Sequence, residues 1–175
     1  MERKLAYFGN PVLRKKGAPI EEITPEIKQI VEDMIDTMHA HKGIGLAAPQ
    51  ISLSLQLFII CVPTETGEGE WDEGELKVFI NPKILSTSDE FSVYEEGCLS
   101  IPKVYADVAR PYKVRVRAQN LEGAFFEEDF TDLEAHAVMH ENDHVNGVLF
   151  IDRIHGKERK RLDPLLREVK NKFKS

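Results

Sequence analysis

The chain has 175 residues, 42% of them hydrophobic, which suffices for one domain with a substantial core. No apolar run approaches the roughly 20 residues of a membrane-spanning helix, and Met1-Glu2-Arg3-Lys4 is not followed by the apolar stretch of a targeting segment, so a soluble, cytoplasmic protein with no membrane partner is expected. The formal net charge of −7 is unevenly spread: residues 153–175 carry nine Lys/Arg against three Asp/Glu, a local +6, and the remainder carries fourteen against twenty-seven, or −13.

Thr24-Pro25 reads as an N-cap followed by the first helical residue. Ile27, Ile30, Val31, Met34 and Met38 then recur at helical spacing, which predicts an amphipathic helix whose methionines belong to the core. His39 and His41, just beyond, are expected to be exposed helix-end residues. Residues 43–50, Gly-Ile-Gly-Leu-Ala-Ala-Pro-Gln, form a small-residue run where backbone can approach a ligand, ending in a side chain that can donate a hydrogen bond. Residues 55–62 predict a strand with Cys61 in its apolar run, and residues 63–75, with six acidic side chains and several glycines, predict a mobile surface loop anchored by Trp71. Further strands are expected at 77–80, 91–94, 114–117 and 125–130, with a hairpin turn at 120–123. A helix follows over 132–144, ended by Gly147, and a last helix over 157–174, kinked or restarted by Pro164. Strands preceding a ligand-bearing helix, with helices at both ends, give a single α+β domain over 1–175.

His140-Glu141-Asn142-Asp143-His144 puts two imidazoles four positions apart, on one helix face and within reach of one ion, with a carboxylate beside the first. Such a site needs a third ligand. Cys98, in Glu95-Glu96-Gly97-Cys98-Leu99-Ser100 and 42 positions before His140, would arrive as a thiolate from a strand or loop. A Cys-His-His set leaves a fourth position open, which marks a catalytic rather than a structural centre, and a reducing compartment suits a thiol that must stay free. His136 shares the helix stripe, but successive steps of four drift by roughly 40° around a helix, which puts its ring in a pocket or behind the ligands. Glu141 cannot easily bind the ion held by its neighbour, and general base is its natural role. The basic tail reads either as a solvated helix face or as a surface for a polyanion.

Residues 43–50, the Cys98 segment and H-E-x-x-H, in this order, resemble the peptide deformylases, and the resemblance runs from about residue 5 to 152 through Asn81-Pro82 and Gly147-Val148-Leu149-Phe150. It implies antiparallel strands around a central helix that carries H-E-x-x-H, followed by a C-terminal helix. The reaction it implies is removal of the N-formyl group from the N-terminal methionine of nascent peptides, releasing formate. Cys98, His140 and His144 would hold one divalent metal, Fe2+ by resemblance although affinity order favours Zn2+, with Zn2+ or Ni2+ as substitutes. Glu141 would be the base, while the Leu99 backbone N–H and the Gln50 amide would face the developing oxyanion. Backbone groups of Ile44, Gly45 and Gly97 would pair with an extended peptide, and His136 would form part of the side-chain pocket wall, often apolar in the family. Glu96 and Arg110 would pair and hold the Cys98 loop.

The family includes members that dock on the ribosome through a C-terminal helix, which makes the basic helix at about 157–174 a candidate docking element. Met139 stands where most deformylases carry glutamine, so an amide contact behind the ligands is missing. A zinc endopeptidase shares H-E-x-x-H but would need a downstream third ligand, and His155, eleven positions after His144, lacks the metzincin spacing. A formyl-peptide or ribosome-binding module without activity, and a redox switch joining Cys61 to Cys98, are the remaining alternatives.

Overall fold

The computed structural model describes residues 1–174. Helix α1 (Pro25–Ala40) starts as its sequence predicts: the Thr24 hydroxyl accepts from the Ile27 N–H at 3.3 Å, and proline occupies the first turn, where no N–H partner is lost. Its Val31, Met34 and Met38 are buried against Leu46, Leu57, Ile59 and Ile80. Strand β1 (Gly45–Ala47) leads through a 3-10 turn at Ala48–Ile51 to β2 (Leu57–Cys61). Strand β2 is apolar on both faces because it is covered on both: Leu57 and Ile59 meet α1, while Phe58 and Ile60 enter a second cluster.

The segment predicted as a mobile loop instead forms a hairpin, β3 (Thr64–Gly67) and β4 (Glu70–Asp72), held by backbone pairing outside the main sheet. The Trp71 side chain lies outside the described residues. Strand β5 (Leu76–Thr87) outruns its predicted extent because it continues through a bulge: Asn81 takes a left-handed φ of +51°, and its side chain bonds both the N–H and the carbonyl of Ile20 at 2.7 Å. Strands β6 (Phe91–Cys98) and β7 (Ile101–Pro111) make a separate antiparallel ribbon, of which only 91–94 was expected. Strands β8 (Lys113–Gln119) and β9 (Phe125–Thr131) form the predicted hairpin, its turn tied by Asn120 Oδ1, which accepts from the N–H groups of Glu122 and Ala124. The main antiparallel sheet has the order β1-β2-β5-β8-β9.

Helix α2 (Asp132–Val145) lies across the second face of this sheet, with Ala135, Val138, Met139 and Val145 packed on Phe58, Phe79, Val116 and Phe130. Gly147 ends it at φ +77°, and a Cβ there would come within 2.6 Å of the Arg14 carbonyl oxygen, so only glycine fits. Helix α3 (Gly156–Lys172) runs unbroken past Pro164, so of the expected kink or restart the restart does not occur. It is seated by Leu162, Leu166 and Val169 in a third cluster with Ile101, Val104, Phe150 and Ile151. The observed fold is thus the expected α+β arrangement with the H-E-x-x-H helix at its centre. Among the described residues, no helix is long and apolar enough to cross a membrane.

Candidate active site

Helix α2 brings His140 and His144 one turn apart, and the end of β6 delivers Cys98 to them at a register shift between Gly97 and Cys98. The ligand atoms of Cys98, His140 and His144 lie within 4.8 Å of one another, and Cys98 Sγ is 3.2 Å from His144 Nε2. His140 Nδ1 is 2.9 Å from Glu96 Oε1, which fixes the ring and leaves Nε2 for the cluster. A thiol and two buried imidazoles, one with its rear nitrogen already engaged, are the donor set of a transition-metal site, so the residues present fit the implied ion.

His136 is not part of this cluster. Its Nδ1 is 3.0 Å from Glu96 Oε2, and its Nε2 is 3.1 Å from both the carbonyl and the hydroxyl of Ser92, so both nitrogens are engaged. Its ring meets Tyr94 edge-on and lines the cavity beside Leu133 and Ala137, as the sequence suggested. Met139 packs into the sheet-facing core, away from the ligands. His155 is exposed, and the two cysteines are free.

Glu96 is the hub behind the ligands. Arg110 grips it in a bidentate pair at 2.7 and 3.0 Å, as expected, and reaches Asp143 at 2.9 Å; Asp143 in turn holds Arg153 at 2.8 Å. Burial pushes the Glu96 carboxyl up, but the bonds from His136, His140 and Arg110 outweigh it and hold the group far below the usual carboxylate range. Burial likewise pulls His140 down, yet the neighbouring Glu141 carboxylate, Cys98 and Glu96 hold it well above its ordinary value. His144 is lowered first by burial and then by His140 and Arg110.

Glu141 is buried, and its Oε1 and the Nδ1 of His144 find no hydrogen-bond partner among the described residues. Burial pushes the Glu141 carboxyl up to about 7, against the opposing pull of His140. Its other oxygen explains Gly45: a Cβ there would lie 2.6 Å from Glu141 Oε2. At Gly97 a Cβ would meet the Tyr105 ring at 2.5 Å, so a side chain there would have to displace that ring. The sequence suggested only backbone access at these two glycines and missed the side chains that press on them.

Gln50 is locked by its own turn. Its Oε1 accepts from the Ala47 N–H at 2.9 Å, which points Nε2 at Cys98 Sγ, 3.5 Å away, and at Ser100 Oγ, 3.1 Å away. Leu99 follows Cys98 and packs over Gly43. A cavity of about 640 Å³ gathers nine of the ten site residues expected from the sequence, with His144 behind Cys98. On one wall, the Ile44 carbonyl is consumed by the Cys61 N–H at 2.8 Å; by the alternation of an antiparallel pair, Gly45 presents its backbone groups to the open side. Gly97, on the free edge of β6, lines the other wall.

The profile of the polypeptide deformylase family matches residues 2–160. A peptide deformylase of a Bradyrhizobium strain is 46% identical over 160 residues, 91% of this chain and 91% of its own. That of Pseudothermotoga lettingae is 45% identical over 154 residues, 88% of this chain and 84% of its own. Among solved structures, a peptide deformylase from Legionella pneumophila aligns with a TM-score of 0.86 at 37% identity, covering 98% of this chain and 96% of that one. A plant peptide deformylase aligns at 0.89 and 36% identity, covering 98% and 90%.

Proposed function

The chain belongs to the polypeptide deformylase family, and on that premise we propose how its own residues remove the formyl group from N-formyl-methionyl nascent peptides. The observation that carries this reading is the convergence of Cys98, His140 and His144 at the base of a groove beside the buried Glu141 carboxylate. These three residues would hold one divalent ion, Fe2+ by kinship with Zn2+ or Ni2+ as substitutes. When bound, it supplies Lewis-acid polarisation of the formyl carbonyl and acidifies the attacking water.

Glu141 takes a proton from that water as its oxygen adds to the formyl carbon, and returns it to the departing amine as the C–N bond breaks, leaving formate and a free N-terminus. Glu141 Oε1, buried and without a hydrogen-bond partner among the described residues, is free to take and return that proton. The Gln50 Nε2 and Leu99 N–H face the oxyanion. Gly45 and Gly97 hold the peptide by backbone pairing, which is indifferent to its sequence, while the methionine side chain enters beside Leu133, His136 and Ala137.

Formate release and metal content, measured on the same preparations with a formyl-methionyl tripeptide, test this assignment. Cys98→Ala is expected to lose metal affinity and turnover by more than the roughly 10–100-fold typical of groups behind the ligands, whereas Cys61→Ala costs only packing. A Cys98→Ala protein that kept its metal while His136→Ala lost it would reassign the third ligand. Cleavage of internal peptide bonds at a comparable rate would favour an endopeptidase.

The basic helix supports a second part of the proposal, docking on the ribosome, in keeping with a cytoplasmic enzyme. Lys157, Lys160 and Arg167 are exposed on the face of α3 opposite Leu162, Leu166 and Val169. Deleting α3 would open the core, so neutralisation is the cleaner test. Changing these three residues to glutamine is expected to weaken ribosome association and to flatten its salt slope by about 0.7–0.9 for each phosphate left without its cation, with small formyl-peptides still turned over. Equal binding at low salt would leave the helix a solvated face.

A further inference from the structure

Part of the cavity wall is made of residues the reaction does not use. Tyr7 is carried there by the N-terminal segment, whose Ala6 N–H bonds the Gln50 carbonyl at 2.7 Å and whose Phe8 N–H bonds the Ser100 carbonyl at 2.9 Å. Against it stacks Phe173, just past the end of α3, with ring centroids 3.7 Å apart and planes 15° from parallel. Both rings line the same cavity as Glu141 and Gly45, and both are half-buried.

Phe173 is held in place. Its N–H bonds the Val169 carbonyl at 3.1 Å, Val169 is part of the core, and Lys170 packs so closely on Gly9 that a Cβ there would lie 2.9 Å from Lys170 Cγ. Phe173 also lies beyond residues 2–160, the span matched by the family profile.

A peptide stretched along Gly45 and Gly97 places its side chains alternately on opposite sides, so a side chain after the methionine that turns into the groove meets its remaining walls. A preorganised aromatic pair there favours apolar and aromatic groups, because the rings are already fixed and lose little freedom on contact. We infer that Tyr7 and Phe173 form a further subsite, selecting substrates with an aromatic side chain one or two residues after the formylated methionine. This rests on the deformylase reading. It adds a sequence preference to a groove whose backbone contacts have none.

The test uses the metal-loaded full chain and formyl-Met-Ala-Ala, formyl-Met-Phe-Ala and formyl-Met-Ala-Phe peptides, followed by formate release. The readout is the ratio of kcat/KM between each phenylalanine peptide and the alanine peptide on one preparation, so any general loss of active protein cancels. The unaltered chain is expected to favour one phenylalanine peptide about three- to tenfold, through KM. Phe173→Ala brings that ratio to about one, Phe173→Tyr restores it, and Tyr7→Ala repeats the loss independently. A ratio near one in the unaltered chain, or a preference untouched by Phe173→Ala and Tyr7→Ala, overturns the subsite and leaves the deformylase reading standing. Formate release from none of the three peptides overturns that reading and the subsite with it.

Discussion

Replacing Glu141 by alanine is expected to lower formate release about 10²–10⁴-fold while the protein keeps its metal, because the carboxylate is proposed to move protons and not to bind the ion. The structure makes this variant informative. Glu141 Oε1 has no hydrogen-bond partner among the described residues, so its removal strands no buried polar group, and the space it leaves borders Gly45. Folding should therefore survive, and kcat should carry the loss. Metal analysis beside the activity assay decides the matter: a chain that lost its ion together with its turnover would make Glu141 a ligand.

Glu96→Ala is expected to damage stability and metal binding together. Arg110, 4% exposed, would keep only Asp143, and breaking a buried pair in this way costs about 3–5 kcal/mol. For a chain of this size that corresponds to a fall in Tm on the order of 10 °C. His140 would lose the acceptor that orients its ring, a change that lowers metal affinity roughly 10–100-fold. Because the Glu96 carboxyl is held far below its ordinary value in the folded chain, its contribution is complete above the usual carboxylate range. It is lost only as acid titrates the folded form. Chelator competition separates the two effects: a lowered Tm with unchanged metal affinity would reduce Glu96 to a structural ion pair.

Much of this was legible in the residues themselves. Thr24-Pro25 and the spacing of Val31, Met34 and Met38 gave α1, and the two histidines gave the site because four positions on a helix fix their geometry locally. What escaped depends on pairing between distant segments. Strand β7 buries Val104, Ala106, Val108 and Arg110 in alternation, but an alanine and an arginine in those places hide the apolar pattern. The end of β6 was lost for the same reason, since its inward residue there is Glu96. The described side chains of the β3–β4 hairpin are all exposed and so show no alternation that would advertise it. The extension of the Glu96–Arg110 pair to Asp143 and Arg153 joins a ribbon, a helix and a 3-10 turn, and no spacing along the chain encodes that meeting.

The order of the main sheet also bears on how the protein avoids self-association. Strand ends of a sheet with unpaired N–H and carbonyl groups invite copies of the same chain to add on and grow into aggregates. Here β9, at one end, carries Glu127, Glu128 and Asp129 in a row, ion-paired to Arg115, Lys77 and Lys113 of the same sheet, so the edge is lined with charge rather than with apolar side chains. At the other end, β1 is three residues long and sunk in the cavity wall facing the β6 ribbon. The edge proposed to pair with a peptide is therefore short and lines the cavity, which leaves a neighbour's sheet little length of backbone to add on to.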